Sequence, residues 1–194
     1  MCGPVYKEDI MDEKRKVRVR HYFRKSFGPH WTVATAFIGL WVALHPANWG
    51  SPLYSHAEIG FEDRNGNFKL FSAAPDHTTS GEPEVRSARE DEIIVHPEDW
   101  DIYEEYVDAQ DALQMELRAA RHLGRKYDWT GIIGFLPFGW NLEDPEKNYC
   151  SELCHIVRFD KRKRISPTLW GKVVRGLAGI RKISVVTDPG YYYK

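Results

Sequence analysis

One hairpin constrains this chain more than any other stretch of it. Tyr54–Phe61 (YSHAEIGF) alternates, with Ala57, Ile59 and Phe61 on one side and His56, Glu58 and Gly60 on the other. A period of two marks a strand whose faces meet different surroundings. Asn65-Gly66 then supplies a turn signal, and Phe68–Ala73 (FKLFSA) returns as the second strand. An antiparallel sheet is therefore built in, and the rest of the chain has to cover it. Thr32–Leu44 is an apolar run that reads as a buried helix, broken by His45-Pro46. Residues 98–123 carry Trp100, Tyr103, Val107, Leu113, Leu117 and Ala120 close to a 3.6-residue period and read as a long helix stopped by Gly124. Asn148–Arg158 reads as a helix starting near Tyr149 or Cys150, and Ser166-Pro167-Thr168 opens another. Glu92–His96 and Ile183–Val186 read as short strands, and 75–91 as an exposed loop. The order predicts an α+β fold, a small antiparallel sheet packed with helices.

Composition narrows the class. With 42% hydrophobic and 13% aromatic residues, the 194-residue chain is too apolar for disorder, and it has no apolar run long enough to span a membrane. Three cysteines are too few, and an odd number, for a disulfide framework. A formal net charge of −1 argues against a nucleic-acid-binding polycation. That near-zero sum hides blocks: residues 11–26 hold seven Lys/Arg against two acids, 82–116 thirteen acids against two Arg, and 158–182 nine Lys/Arg against one Asp. Such blocks either dock a partner or neutralise one another within the fold. We read residues 1–28 as a basic N-terminal extension ending at Gly28-Pro29, and 29–194 as one domain with a basic C-terminal segment, 158–194. No signal peptide is expected, because acids precede the basic stretch and no small-residue cleavage site follows the apolar run. A cytoplasmic or virion-associated protein is the expectation.

The chemistry centres on Cys150 and His56. A thiol becomes a nucleophile as the thiolate, which needs a nearby base, a helix N-terminus, or both. Cys150 follows a loop (Asp144-Pro145-Glu146-Lys147-Asn148) and opens a helix, whose dipole would lower its pKa and whose first N–H groups would hold an oxyanion. His56 projects from a strand, a rigid mount for an imidazole. Cys150, Cys154 and His155 share a helix face, but no second pair completes a metal site, so no metal and no cofactor are expected. Cys154 reads as core packing and Cys2 as incidental. His77 and His96 read as solvated. Trp129, Phe135, Phe138 and Trp140 either pack the core or wall a substrate groove.

Ser55-His56-Ala57-Glu58-Ile59, then Tyr127-Asp128-Trp129-Thr130-Gly131, then Tyr149-Cys150-Ser151-Glu152-Leu153 form an ordered trio. It resembles the circularly permuted NlpC/P60 papain-like cysteine hydrolases of the YiiX/YebB-like group, over about Thr32–Phe159. The likeness extends more loosely to phage-encoded members. It implies a papain-like core, with Cys150 attacking a carbonyl and His56 acting as base and then acid. It also implies an oxyanion hole of backbone N–H groups near Cys150, helped by Tyr149. Peptidoglycan peptide bonds or lipid-linked acyl groups are the implied substrate classes. The family's third polar residue lies on the strand after the His strand, where this chain offers Ser72; Glu58 is the other residue able to orient the imidazole. A two-residue turn at Asn65-Gly66 would put Ser72 on the face opposite His56, and a loop one residue longer or shorter would reverse that. The competing expectation is a catalytically weak protein on the same scaffold, docking a partner, nucleic acid or membrane through its basic ends.

Overall fold

The computed structural model describes residues 15–30, 32–44, 46–74, 84–94, 96–130 and 144–183. Six strands form one antiparallel sheet: β1 Lys16–Lys25, β2 Tyr54–Glu62, β3 Phe68–Ala74, β4 Glu84–Arg89, β5 Trp100–Asp108 and β6 Arg181–Ile183. Their order across the sheet is β4-β3-β2-β1-β5-β6. The helices are α1 Val33–Leu44, the single turn α2 Glu90–Ile93, α3 Ala109–Ala120, α4 Cys150–Phe159 and α5 Pro167–Arg175. The class is α+β, as the hairpin and its helical flanks predict.

The largest departure concerns the amino end. Residues 16–25 are no extension: β1 lies at the middle of the sheet, paired with β2 from Val19↔Phe61 to Lys25↔Tyr54 and with β5 from Lys16↔Asp108 to Arg24↔Trp100. Val19, Tyr22 and Phe23 are fully buried. The basic residues between them obscured the alternation, because Arg18 and Arg20 point to a face where carboxylates await them. Arg20 donates to Glu104 at 3.0 Å and to Glu90 at 3.0 and 3.1 Å, and Arg18 pairs with Glu62. Arg181 reaches Glu104 at 2.5 Å and Lys182 reaches Asp101 at 2.7 Å. The basic ends and the acidic middle thus neutralise one another across the sheet.

Three further elements differ from the sequence reading. Residues 100–108, expected as helix, are strand β5; only Ala109–Ala120 is helical. Trp100, Ile102 and Glu104 alternate with Asp101, Tyr103 and Glu105 there, and cross-strand pairing with β1 overrides a helical period that charged residues imitate. Glu84–Arg89, expected in a loop, is β4, and Glu90–Ile93, which spans the end of that loop and the start of the expected strand Glu92–His96, is a helical turn. Helix α1 forms where expected but is only half buried. Val42 and Thr35 face the protein, while Val33 (81% exposed), Phe37, Leu40 and Leu44 form an outward apolar stripe with Trp49 beyond it. Ser166 caps α5 by accepting the Leu169 N–H at 3.1 Å, as its sequence signals. Cys2, His77, Phe135, Phe138, Trp140 and 184–186 lie outside the described residues.

The main core fills the space between one sheet face and helices α3, α4 and α5. Val19, Phe23, Ala57, Ile59, Phe61, Phe71 and Tyr103 meet Met115, Leu153, Cys154, Val157 and Trp170 there. Within this layer His21 is fully buried beside Glu105, at 2.9 Å, and Arg158 donates twice to the same carboxylate at 3.0 and 3.1 Å. No helix among the described residues is long and apolar enough to cross a membrane.

Candidate active site

Cys150 is the first residue of α4, preceded by an extended Tyr149 (φ −105°, ψ 167°). Its thiol therefore sits where unpaired N–H groups and the helix dipole favour negative charge. Several contacts seat this helix end. The Ser151 hydroxyl donates to the Ile165 carbonyl at 2.6 Å, and the Ile165 N–H donates to the Tyr149 hydroxyl at 2.9 Å. Glu152, wholly buried, pairs with the Arg162 guanidinium at 2.5 Å. The same guanidinium donates to the carbonyls of Asp144, Pro145 and Lys147 at 2.8, 2.6 and 2.7 Å. Arg162 thus ties the loop leading into Cys150 to the first turn of its helix.

The Tyr127-Asp128-Trp129 segment runs beside that loop. Tyr127 and Asn148 form a parallel bridge, and the Asp128 N–H donates to the Asn148 carbonyl at 3.1 Å. The Asp128 carboxylate accepts from Thr130 Oγ1 at 2.6 Å and from the Asp144 N–H at 3.3 Å. His122 Nδ1 lies 2.7 Å from Asn148 Oδ1.

The sheet opens where the thiol sits. Among the described residues, β2 pairs with β3 only over Ile59–Glu62, and its Tyr54–Glu58 portion has no β3 partner. The backbone N–H groups of Ala57 and Ser151 favour negative charge on the Cys150 sulfur there. His56, one residue before Ala57 and on the same strand, interacts electrostatically with the same sulfur. His56 Nε2 lies 3.0 Å from Glu58 Oε1 and 3.4 Å from Ser72 Oγ. Nε2 is thus the ring nitrogen that both candidate orienting residues reach. Trp100 closes one side, its ring edge-on to the imidazole at 6.2 Å.

The parity of Ser72 follows from the loop length. Glu62 pairs with Phe68, leaving Asp63–Asn67 as a five-residue connection rather than a two-residue turn. The extra residues bring Ser72 to the side of His56 and Glu58. Both candidate orienting residues therefore reach the imidazole, and Glu58 is the nearer and the charged one. Tyr149 has a different place from the one the resemblance implies: its ring is buried in the core and its hydroxyl holds Ile165.

The electrostatics separate two thiols on one helix. Burial pushes Cys150 up, but the His56 cation, its hydrogen bond and the two backbone N–H groups outweigh burial and hold its pKa below the ordinary thiol value. Burial likewise pushes His56 down, and the charge and hydrogen bond of Cys150, then those of Glu58, reverse this and raise the imidazole to about 10. The opposed shifts favour a thiolate–imidazolium pair over neutral thiol and imidazole. Cys154, one turn further along, has no such cation, and burial first and the Cys150 charge second push its thiol well up. The Cys150 side is 2% exposed and the His56 side chain 15%, so little water screens the pair.

Sequence reasoning missed Arg162, which stands among four consecutive basic residues, 161–164, with nothing to distinguish it. It also missed Trp100, hidden in the stretch read as helix. Cys154 packs the core as expected, and His155 Nδ1 is engaged with the Lys161 carbonyl at 2.8 Å. Comparison of the chain with protein-family models, with characterised proteins and with solved structures finds no match in any of the three.

Proposed function

We propose that the protein is a cysteine hydrolase with a papain-like site, cleaving an amide or ester bond through a thioester on Cys150. The observation that carries this reading is the placement of Cys150 as the first residue of α4 and of His56 on β2 with Glu58 and Ser72 at its Nε2, where each of the pair shifts the other's pKa toward the charged form. In this mechanism the Cys150 sulfur attacks a carbonyl carbon, and the oxygen takes the negative charge beside the N-terminal end of α4. As the intermediate collapses, His56 gives its proton to the departing amine or alkoxide and the thioester remains. Water then attacks the thioester with His56 as base, releasing the acid and restoring the thiolate. Glu58 holds the imidazole in the tautomer and orientation that both proton transfers need, and Ser72 adds a weaker contact.

Of the two substrate classes, peptide and acyl-lipid, the outward stripe of α1 supports the second. α1 packs on β2, the strand of His56, and its exposed side is Val33, Phe37, Leu40 and Leu44, without a charge among them. A long acyl chain leaving the site has an apolar surface to lie along. Acid quenching during turnover of an acyl ester, followed by mass spectrometry, is expected to find the acyl group on Cys150. Long-chain esters should outpace short ones. Turnover that persists in Cys150→Ala, or an adduct on any other residue, would overturn the reading.

A further inference from the structure

We propose that Arg86 is the substrate-selecting cation of the Cys150 site, holding a phosphate or carboxylate group that the substrate carries beside its scissile carbonyl. The proposal rests on the hydrolase reading for the ligand's being a substrate, and on the sheet for the placement of the cation.

Arg86 lies on β4, whose register against β3 runs Phe71↔Ser87, Ser72↔Arg86 and Ala73↔Val85. Residues directly opposed on antiparallel neighbours project from the same face, with Cβ atoms about 5 Å apart. Ser72 stands on the side of His56 and Glu58, its Oγ 3.4 Å from His56 Nε2. Arg86 is therefore next in that row, beyond Ser72, while Ala73 and Val85 are buried on the core face. The other edge of β4 is paired too. The Val85 N–H donates to the Arg125 carbonyl and the Gly124 N–H to the Val85 carbonyl, both at 2.8 Å, and Glu84 bridges Lys126. Tyr127, next along, bridges Asn148, two residues before Cys150. Paired backbone thus runs from the strand of Ser72 through β4 to the entry of α4, and Arg86 is mounted within it.

Charge pairing sets this residue apart. Arg18, Arg20, Arg89 and Arg181 lie on the same sheet, and each holds a carboxylate. Arg86 is only partly exposed, and its Nε is buried without a hydrogen-bond partner. Among the described residues no ion pair reaches its guanidinium. A buried cationic donor without an acceptor is costly, and an arriving oxyanion removes that cost. The Nε–Nη edge of a guanidinium presents two parallel N–H groups, a fork that fits a carboxylate or phosphate bidentately. Glu58, at the opposite end of the row, repels an anion, so the negative group is directed to the β4 side. An acyl chain along α1, which packs on β2, together with an oxyanion at β4, describes an amphiphilic anionic ester.

The test separates binding from cleavage. Octanoyl esters of propanediol, of propanediol phosphate and of hydroxybutyrate differ in one group, which is neutral, phosphate or carboxylate. The full chain carrying Cys150→Ser lacks the thiolate, and calorimetric titration is expected to show an anionic ester bound about tenfold to a hundredfold more tightly than the neutral one. Whichever anionic ester binds more tightly names the group selected. Arg86→Met, which keeps an unbranched stem, is expected to abolish the preference, and Arg86→Lys to restore part of it. The ester series with Arg86 in place needs no variant of that residue to fold. Equal binding of all three esters, or a preference undiminished in Arg86→Met, would overturn the proposal. The same preference without Cys150-dependent cleavage in the unsubstituted chain would keep the anion site and overturn the hydrolase reading instead.

Discussion

The scale at which this molecule commits to chemistry is the single residue. Cys150 and Cys154 share a helix and near-complete burial, yet the pKa of one is lowered and that of the other raised. The difference is His56 and two backbone N–H groups, all on one side of one helix turn. His56, its pKa raised, favours the folded state fully below the ordinary imidazole pKa, and this is lost as pH rises through about 10. Cys150, its pKa lowered, contributes above the ordinary thiol pKa, and this is lost as pH falls through its lowered value. The ion pair therefore persists between those two limits. Glu58 and Ser72 both touch Nε2 but differ in charge, and their substitutions should differ accordingly. Glu58→Gln is expected to slow Cys150 alkylation at neutral pH by about tenfold, roughly one pKa unit of lost support. Ser72→Ala should slow it by less than about threefold, the value of a weak neutral hydrogen bond. Equal effects would remove Glu58 from its orienting role. The placement of Cys150 at a helix start and of His56 on an alternating strand was legible in the sequence, because both signals are local. The choice of orienting residue was not, since it hung on the five-residue span Asp63–Asn67, whose register an Asn-Gly signal does not disclose.

At the scale of elements, the site depends on how α4 is entered. Arg162 gathers three carbonyls of the 144–147 loop and the buried Glu152 around one guanidinium. Removing it leaves a buried carboxylate without its cation and frees the loop that aims Cys150. Arg162→Met is expected to cost about 3 kcal/mol in denaturant unfolding, with much of the loss recovered by adding Glu152→Gln. A loss unaffected by the second change would show that the pair does not act as a unit. Helix α5 was readable from its Ser166 cap and the proline after it, and α4 from the loop signals that precede Cys150. Strand β5 was not: Trp100, Tyr103 and Val107 fit a helical spacing by chance, and only β1 alongside reveals the strand. The place of Arg86 beside Ser72 was illegible for the same reason, since it depends on the β3–β4 pairing.

For the whole molecule, charge organisation and topology are one fact. The basic amino end is a central strand whose arginines meet the acidic residues of the neighbouring strands and of α2. A chain read by composition alone places that segment outside the fold, because few strands at the middle of a sheet carry so many cations. Deleting residues 1–25 removes β1 and leaves β2 and β5 without their shared partner. The truncated chain is expected to lose its cooperative unfolding transition. A truncated chain that still unfolds cooperatively would show that β1 is dispensable to the core.

The central claim, that His56 holds Cys150 as a reactive thiolate, is tested most directly by the rate of iodoacetamide alkylation at Cys150 as a function of pH. The account predicts that modification stays fast below pH 7. It also predicts that in His56→Ala the midpoint moves above that of a free thiol, because burial remains and the cation is gone. A midpoint at the free-thiol value in the native protein, unmoved by His56→Ala, would contradict it.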